Sequence, residues 1–158
     1  LATLGEVQAS LAVSILGLFN AAGRIIWGFA GDRFGREKTL TLIFVICSGS
    51  LFIVALIHEP AWIVLGMLLV GLSFGGFLAL YPALTADYYG VKSLGVNYGI
   101  IFTAYGAGAV LGPIMAGYFK TFTNSYVPSF YIAGALAFLG IILTILMKKS
   151  TTKIRQTS

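Results

Sequence analysis

Residues 39–57 read TLTLIFVICSGSLFIVALI and contain no charged side chain. As an α-helix a stretch of this length rises about 28 Å, close to the roughly 30 Å of hydrocarbon in a lipid bilayer. Its apolar side chains lie all round such a helix, which is typical of a helix with lipid on most of its surface. The stretch therefore predicts a membrane-spanning helix.

The rest of the chain has the same apolar character. Hydrophobic residues make up 58% of the 158 residues and charged residues 9%, and the mean hydropathy is +0.95. So few polar side chains cannot cover a water-soluble globule. We therefore predict an all-α membrane protein whose residues 1–147 form one transmembrane bundle. The five predicted spans cover about residues 7–31, 39–57, 62–86, 96–119 and 129–147, and a polar tail covers 148–158.

The basic residues between the spans predict the orientation of the chain. If the spans alternate in direction, the loops at 32–38 and 87–95 share one face with the C-terminal tail. That face holds Arg33, Arg36, Lys38, Lys92, Lys148, Lys149, Lys153 and Arg155, and the opposite face holds Lys120. An excess of Lys and Arg marks the cytoplasmic side of a membrane protein. The net charge of +5 thus indicates a cytoplasmic C-terminus in the plasma membrane, and not a nucleic-acid partner.

Few residues are suited to metal binding or to catalysis. The single Cys47 lies within an apolar stretch, so no disulfide can form within the chain. His58, beside Glu59 and Pro60, is read as a loop histidine because no second metal ligand follows at a useful spacing. No nucleophile, base or metal ligands converge in the pattern, so neither an enzyme nor a cofactor is predicted.

Arg24 is the basic residue that lies deepest in a predicted span. Near a helix centre an arginine costs about 2.5–3.5 kcal/mol on insertion scales, so such residues usually face a bundle interior or a wet cavity. The polar and small residues Gly17, Asn20, Arg24, Gly28 and Gly31 recur every three or four positions and share one helix face. We predict that Arg24 binds an anionic substrate and that Asn20 orients it or touches the substrate.

Other interpretations of these residues stay open. Arg24 could reach the cytoplasmic interface or pair with a carboxylate outside the chain, and Asn20 could form an interhelical hydrogen bond. A second face, formed by Tyr98, Phe102, Tyr105, Gly108 and Gly112, carries aromatic rings along the fourth span. Tyr105 and Phe74 are predicted to line the cavity, although aromatic rings at this spacing more often serve packing.

The segment GFAGDRFGREK, residues 28–38, resembles the cytoplasmic loop motif of the major facilitator superfamily. The motif residues are Gly28, Asp32, Arg33, Gly35, Arg36 and Lys38. The resemblance implies a gate, in which Gly28 allows close helix contact and Asp32 holds basic residues or a helix N-terminus until the transporter changes state.

A second motif supports the same family and its numbering of helices. Gly108, Gly112, Pro113 and Gly117 resemble a glycine-proline helix-packing motif of the superfamily. The resemblance then implies that the five spans correspond to helices eight to twelve. The chain begins with Leu1, and we expect it to be a fragment whose partner is the missing N-terminal half of the same transporter.

Three shorter segments resemble the oxalate/formate antiporter family of small-carboxylate carriers. They are GLFNAAGR at 17–24, YPALTAD at 81–87 and NYG at 97–99. The resemblance places the family's substrate-binding arginine on Arg24 and a cavity aromatic on Phe74. Two departures matter, because Tyr105 stands where oxalate exchangers have a lysine and Leu78 replaces another cavity aromatic.

The lost lysine changes the expected substrate. With one cation in this half of the pocket, a dianion would leave one carboxylate unpaired at low dielectric, which is costly. The expected function is therefore alternating-access transport of a small organic anion, a monocarboxylate such as formate, lactate or pyruvate, by antiport or symport. The alternatives are a superfamily transporter of another solute class, such as a drug or sugar, and a non-transporting membrane assembly subunit.

Overall fold

A computed structural model of the chain describes residues 2–57 and 59–157. His58, predicted to be a loop histidine, lies outside the described residues. The side chains of residues 10–57 and 59–147 are described, so those of the basic residues predicted in the tail lie outside this part as well.

The described residues form five long helices and no strand. Their bounds are α1 Ala2–Phe34, α2 Arg36–Leu56, α3 Pro60–Tyr89, α4 Leu94–Thr123 and α5 Val127–Thr157, with a short 3₁₀ turn at Val91–Ser93 before α4. Each helix includes a segment long and apolar enough to cross a membrane. The predicted all-α membrane fold is thereby confirmed.

The turn between α1 and α2 is tighter than the sequence indicates. The charged residues 32–38 are predicted to form a short turn, but α1 continues to Phe34 and α2 begins at Arg36. Gly35 alone separates them and has a φ of +96°, a conformation that glycine adopts without steric cost. The charged residues of the motif consequently lie in the last turn of α1 and the first turn of α2.

α3 is the central helix of the packing. It lies against both α1 and α2, and α2 also packs against α5. The buried core at these contacts consists of Trp27, Leu40, Ile43, Leu80 and Leu84. The core therefore lies near the end of the bundle that carries the α1–α2 turn.

Helix α2 is more enclosed than its sequence indicates. In the most apolar stretch of α2, 44% of the residues are buried, because its small side chains allow the neighbouring helices to approach closely. The Ser48 hydroxyl, for example, donates a hydrogen bond of 3.0 Å to the Gly134 carbonyl oxygen of α5. The prediction of a helix with lipid on most of its surface thus understates its contacts with protein.

Helix α4 is the least enclosed of the five, because no residue in its most apolar stretch is buried by the described part of the chain. A Cβ added at Gly108, Gly112 or Gly117 would meet no atom within 4 Å, and the same holds for Gly28 of α1. The described part of the chain therefore does not provide the close helix contacts predicted for these glycines. Their packing role stays a prediction, and its partner would have to lie elsewhere.

Candidate functional site

Arg24 borders a cavity within the bundle. The cavity has a volume of about 950 Å³ and lies between α1, α2 and α3, with Phe130 of α5 at its edge. The α1 side of its wall includes Gly17, Asn20 and Arg24, which belong to the polar face predicted from the helical spacing. This face thus borders a space large enough to hold a small organic solute.

Asn20 and Arg24 are paired within one turn of α1. The Arg24 Nε donates a hydrogen bond of 3.3 Å to the Asn20 side-chain oxygen, as their spacing of four residues allows. Arg24 takes part in no ion pair among the side chains of residues 10–57 and 59–147. Its two terminal nitrogens are therefore the groups that can meet an anion from the cavity.

The rest of the cavity wall is apolar. Apart from Asn20 and Arg24, its lining consists of Val13, Leu16, Gly17, Ala21, Ile25, Leu51, Val54, Met67, Val70, Gly71, Phe74 and Phe130. A cation beside an apolar wall attracts an anion more strongly than it would in bulk water, because the local dielectric is low. The chemistry of the cavity suits one anionic group attached to an apolar remainder.

Two glycines bring α1 and α3 into backbone contact around Arg24. A Cβ at Gly75 would overlap the Asn20 carbonyl oxygen and would lie 3.0 Å from the Arg24 amide nitrogen. A Cβ at Gly23 would likewise overlap the Leu72 carbonyl oxygen. Direct backbone packing of this kind fixes the turn that carries Arg24 against α3.

This crossing of α1 and α3 is not predicted from the sequence. The sequence feature that points to it is the pair Gly71 and Gly75, which are four residues apart on α3 and form a small-residue face. What the sequence does not show is that this face meets the turn of α1 that carries Arg24.

The aromatic candidates form a chain of rings next to the cavity. The Phe74 and Tyr105 ring centroids are 5.8 Å apart, those of Tyr105 and Phe102 4.9 Å, and those of Phe102 and Tyr98 5.6 Å. Phe74 borders the Arg24 cavity, whereas Tyr105 borders a second one. The structure therefore brings Arg24, Asn20 and Phe74 to one cavity, with Tyr105 one ring further away.

Arg36 joins three helices at the α1–α2 turn. Its guanidinium forms ion pairs of 3.1 Å with Asp32 of α1 and 2.6 Å with Asp87 of α3. The same group donates a hydrogen bond of 3.1 Å to the Ala83 carbonyl oxygen. Exposed ion pairs contribute little individually, but this fork links the ends of three helices at a single point.

Glu37 and Tyr88 add a second link between the loop motif and α3. The Tyr88 hydroxyl donates a hydrogen bond of 2.5 Å to the Glu37 carboxylate. In the sequence, Asp87 and Tyr88 belong to the loop at 87–95, and Asp87 also ends the segment YPALTAD, but neither residue was predicted to pair with the loop motif. The available signal was the opposite charges of Asp87 and Arg36 on loops of the same face. Arg33 and Lys38 form no ion pair among the described side chains.

No cluster of three or more His, Cys, Asp or Glu side chains suited to a metal ion occurs in the part of the chain that the structure describes.

Nearly the whole sequence matches the model of a protein family. Residues 2–158 match the model of the Major Facilitator Superfamily. The chain belongs to this superfamily. The resemblance seen in the loop motif is thereby confirmed, and the membership indicates part of a transporter rather than an enzyme.

Several curated superfamily members are similar to the chain. Human monocarboxylate transporter 14 is 33% identical over 137 residues, which are 84% of the chain and 26% of that protein. The oxalate:formate antiporter of Oxalobacter formigenes is 31% identical over 106 residues, 65% of the chain and 25% of that protein. The sialic acid transporter NanX of Escherichia coli (strain K12) is 28% identical over 147 residues, 89% of the chain and 35% of that protein. The chain therefore spans about a quarter to a third of the length of these relatives.

Proposed function

We propose that the chain is the C-terminal part of a secondary transporter of small organic anions, and that its substrates are monocarboxylates such as formate, lactate or pyruvate. The observation that carries the proposal is the position of Arg24. Its guanidinium borders a cavity of about 950 Å³ and forms no ion pair with the described side chains. A guanidinium offers a planar fork of donors that matches a carboxylate.

The charge of the cavity favours one carboxylate over two. Arg24 is the only charged residue among the described side chains that line it, so this part of the protein can neutralise a single negative charge. A second carboxylate of a dianion would lie against apolar residues such as Val70 and Phe74 without a partner, which is costly. Asn20 supports the site by holding the Arg24 Nε.

The relatives agree with this chemistry. Their names refer to a monocarboxylate, to oxalate and formate, and to sialic acid, all of which are organic acids. The shared feature is an acidic solute, whereas the size and charge of these solutes differ. The relatives therefore support an anionic substrate. The single cation of the cavity supports a substrate with one carboxylate.

Transport itself requires alternating access to the site from both sides of the membrane. In this class of carrier two bundles rock around a site near the middle of the membrane. The junction of Arg36 with Asp32 and Asp87 joins helix ends on one side and would act as the gate that opens in one state. Exchange of two anions and symport with a cation are both compatible with this arrangement.

The orientation follows from the charges at the same end of the bundle. Arg33, Arg36, Lys38 and Lys92 lie there, whereas Lys120 lies at the other end of α4. Under the positive-inside rule this end is cytoplasmic. We therefore propose a plasma-membrane carrier with the tail, residues 148–158, in the cytoplasm, and with an N-terminal half of similar size as its structural partner.

Uptake into liposomes by the full-length carrier tests the proposal. We expect uptake of labelled pyruvate that excess formate or lactate inhibits more strongly than oxalate. Arg24→Lys should lower uptake at least about 10-fold, because an ammonium group cannot reproduce the two-pronged contact. A matched cation exchange at an exposed site, Lys92→Arg, should leave uptake unchanged.

Three results would contradict the proposal. Strong preference for oxalate would exclude the monocarboxylate assignment, and normal uptake by correctly inserted Arg24→Lys would exclude the role of Arg24. Uptake of drugs or sugars without any carboxylate would favour the other solute class.

A further inference from the structure

A second cavity, lined mainly by aromatic residues, lies beside the one that Arg24 borders. It has a volume of about 290 Å³ and is bounded by α3 and α4, with Phe44 of α2 at its edge. Its lining consists of Phe44, Phe74, Phe77, Leu78, Tyr81, Tyr98, Ile101, Phe102, Ala104 and Tyr105. None of these residues carries a charge at neutral pH. We call this space the aromatic cleft.

Phe74 forms a wall shared by the two cavities. Among the described residues it alone borders both the Arg24 cavity and the aromatic cleft. Its ring contacts that of Tyr105 at a centroid distance of 5.8 Å. The aromatic cleft therefore adjoins the Arg24 cavity at Phe74.

The rings around the aromatic cleft are incompletely covered by the described part of the chain. Phe74 is 36% exposed, Phe102 44% and Tyr105 43%, although Phe77 and Tyr81 behind them pack against the core. Large apolar surfaces that border a cavity favour an apolar ligand, because its burial removes both surfaces from water.

We infer that the preferred substrates are monocarboxylates with an aromatic or branched apolar group, with the carboxylate at Arg24 and this group in the aromatic cleft. The inference rests on the proposed function and narrows it. Formate and lactate can satisfy Arg24 but have nothing with which to fill the cleft. An aryl-substituted 2-oxo acid has a carboxylate to pair with Arg24 and a ring to occupy the aromatic cleft, so its affinity should be higher.

Competition for uptake by the full-length carrier tests the inference. Uptake of labelled pyruvate is measured against unlabelled formate, pyruvate and phenylpyruvate. Phenylpyruvate should compete at concentrations roughly 10-fold lower than unlabelled pyruvate, because burial of a phenyl ring adds apolar contact. Equal competition by pyruvate and phenylpyruvate would overturn the inference.

Variants that fill the aromatic cleft give a second test. Ala104→Phe places a ring in the cleft from α4, and Ile101→Phe, at another lining residue of the same helix, replaces it if the first variant fails to fold. Either should abolish the advantage of phenylpyruvate while pyruvate uptake continues. Ala107→Phe is the matched control, because Ala107 is on the same helix but does not line the cleft.

The results separate this inference from the proposed function. Pyruvate uptake without any advantage for phenylpyruvate would overturn the inference and leave the proposed function in place. Absence of uptake of every carboxylate would overturn both. Equal loss of pyruvate and phenylpyruvate uptake in both cleft-filling variants, with normal uptake by Ala107→Phe, would show that the cleft does not select the apolar group.

Discussion

Gly75→Ala should weaken transport by displacing the turn that carries Arg24. The added Cβ would overlap the Asn20 carbonyl oxygen and lie 3.0 Å from the Arg24 amide nitrogen. Both are backbone atoms of α1, so no side chain can rotate away and α1 must move relative to α3. Overpacking of this kind costs about 1–3 kcal/mol.

The displacement acts on the candidate site and not only on stability. If about 1.4 kcal/mol of the cost falls on the binding-competent arrangement, affinity decreases about 10-fold. We therefore expect a roughly 10-fold higher KM for pyruvate uptake in liposomes that contain the full-length Gly75→Ala carrier, at equal amounts of inserted protein.

A matched glycine on α2 controls for the loss of backbone freedom. A Cβ at Gly49 would meet no atom within 4 Å, so Gly49→Ala should transport as the parent protein does. If Gly75→Ala and Gly49→Ala gave the same KM, the backbone contact between α1 and α3 would not position Arg24.

Three further predictions concern the turn, the junction and the orientation. Gly35→Ala should lower the melting temperature of the full-length carrier, because a φ of +96° strains an alanine by about 1 kcal/mol. Gly95→Ala is the control, and equal melting temperatures of the two variants would contradict this expectation. Arg36→Lys should alter the maximal uptake rate more than the KM, because a single ammonium cannot hold Asp32 and Asp87 together; a change in KM alone would place Arg36 in substrate binding instead. A fluorescent protein fused to the C-terminus should be protected from protease in intact cells, and its digestion from outside would reverse the proposed orientation.

The number and type of helices could be predicted from the sequence, because lipid imposes a simple requirement. Any segment that crosses the hydrocarbon must satisfy its backbone hydrogen bonds internally and expose apolar side chains. Residues 39–57 meet both conditions, and so do the other spans. The pair Asn20 and Arg24 was also predictable, since a separation of four residues along one helix brings side chains together.

The way the helices meet could not be predicted from the sequence. A helix such as α2 is apolar on every side, so its sequence does not say which side faces protein and which faces lipid. Contacts such as Gly75 with Asn20 and Arg36 with Asp87 depend on the relative rotation of two helices. The single-residue turn at Gly35 was missed for another reason, because the charged residues around it are equally compatible with a longer loop.

The central claim is that the Arg24 guanidinium binds a carboxylate inside the cavity, and equilibrium binding tests it most directly. Labelled pyruvate is titrated into the purified full-length carrier, into its Arg24→Gln variant and into the Lys92→Arg control. We predict saturable binding to the parent protein and the control, and a loss of at least about 10-fold in affinity for Arg24→Gln, because the variant lacks the charge and the fork. Equal affinity of a folded Arg24→Gln variant and the parent protein would contradict the account.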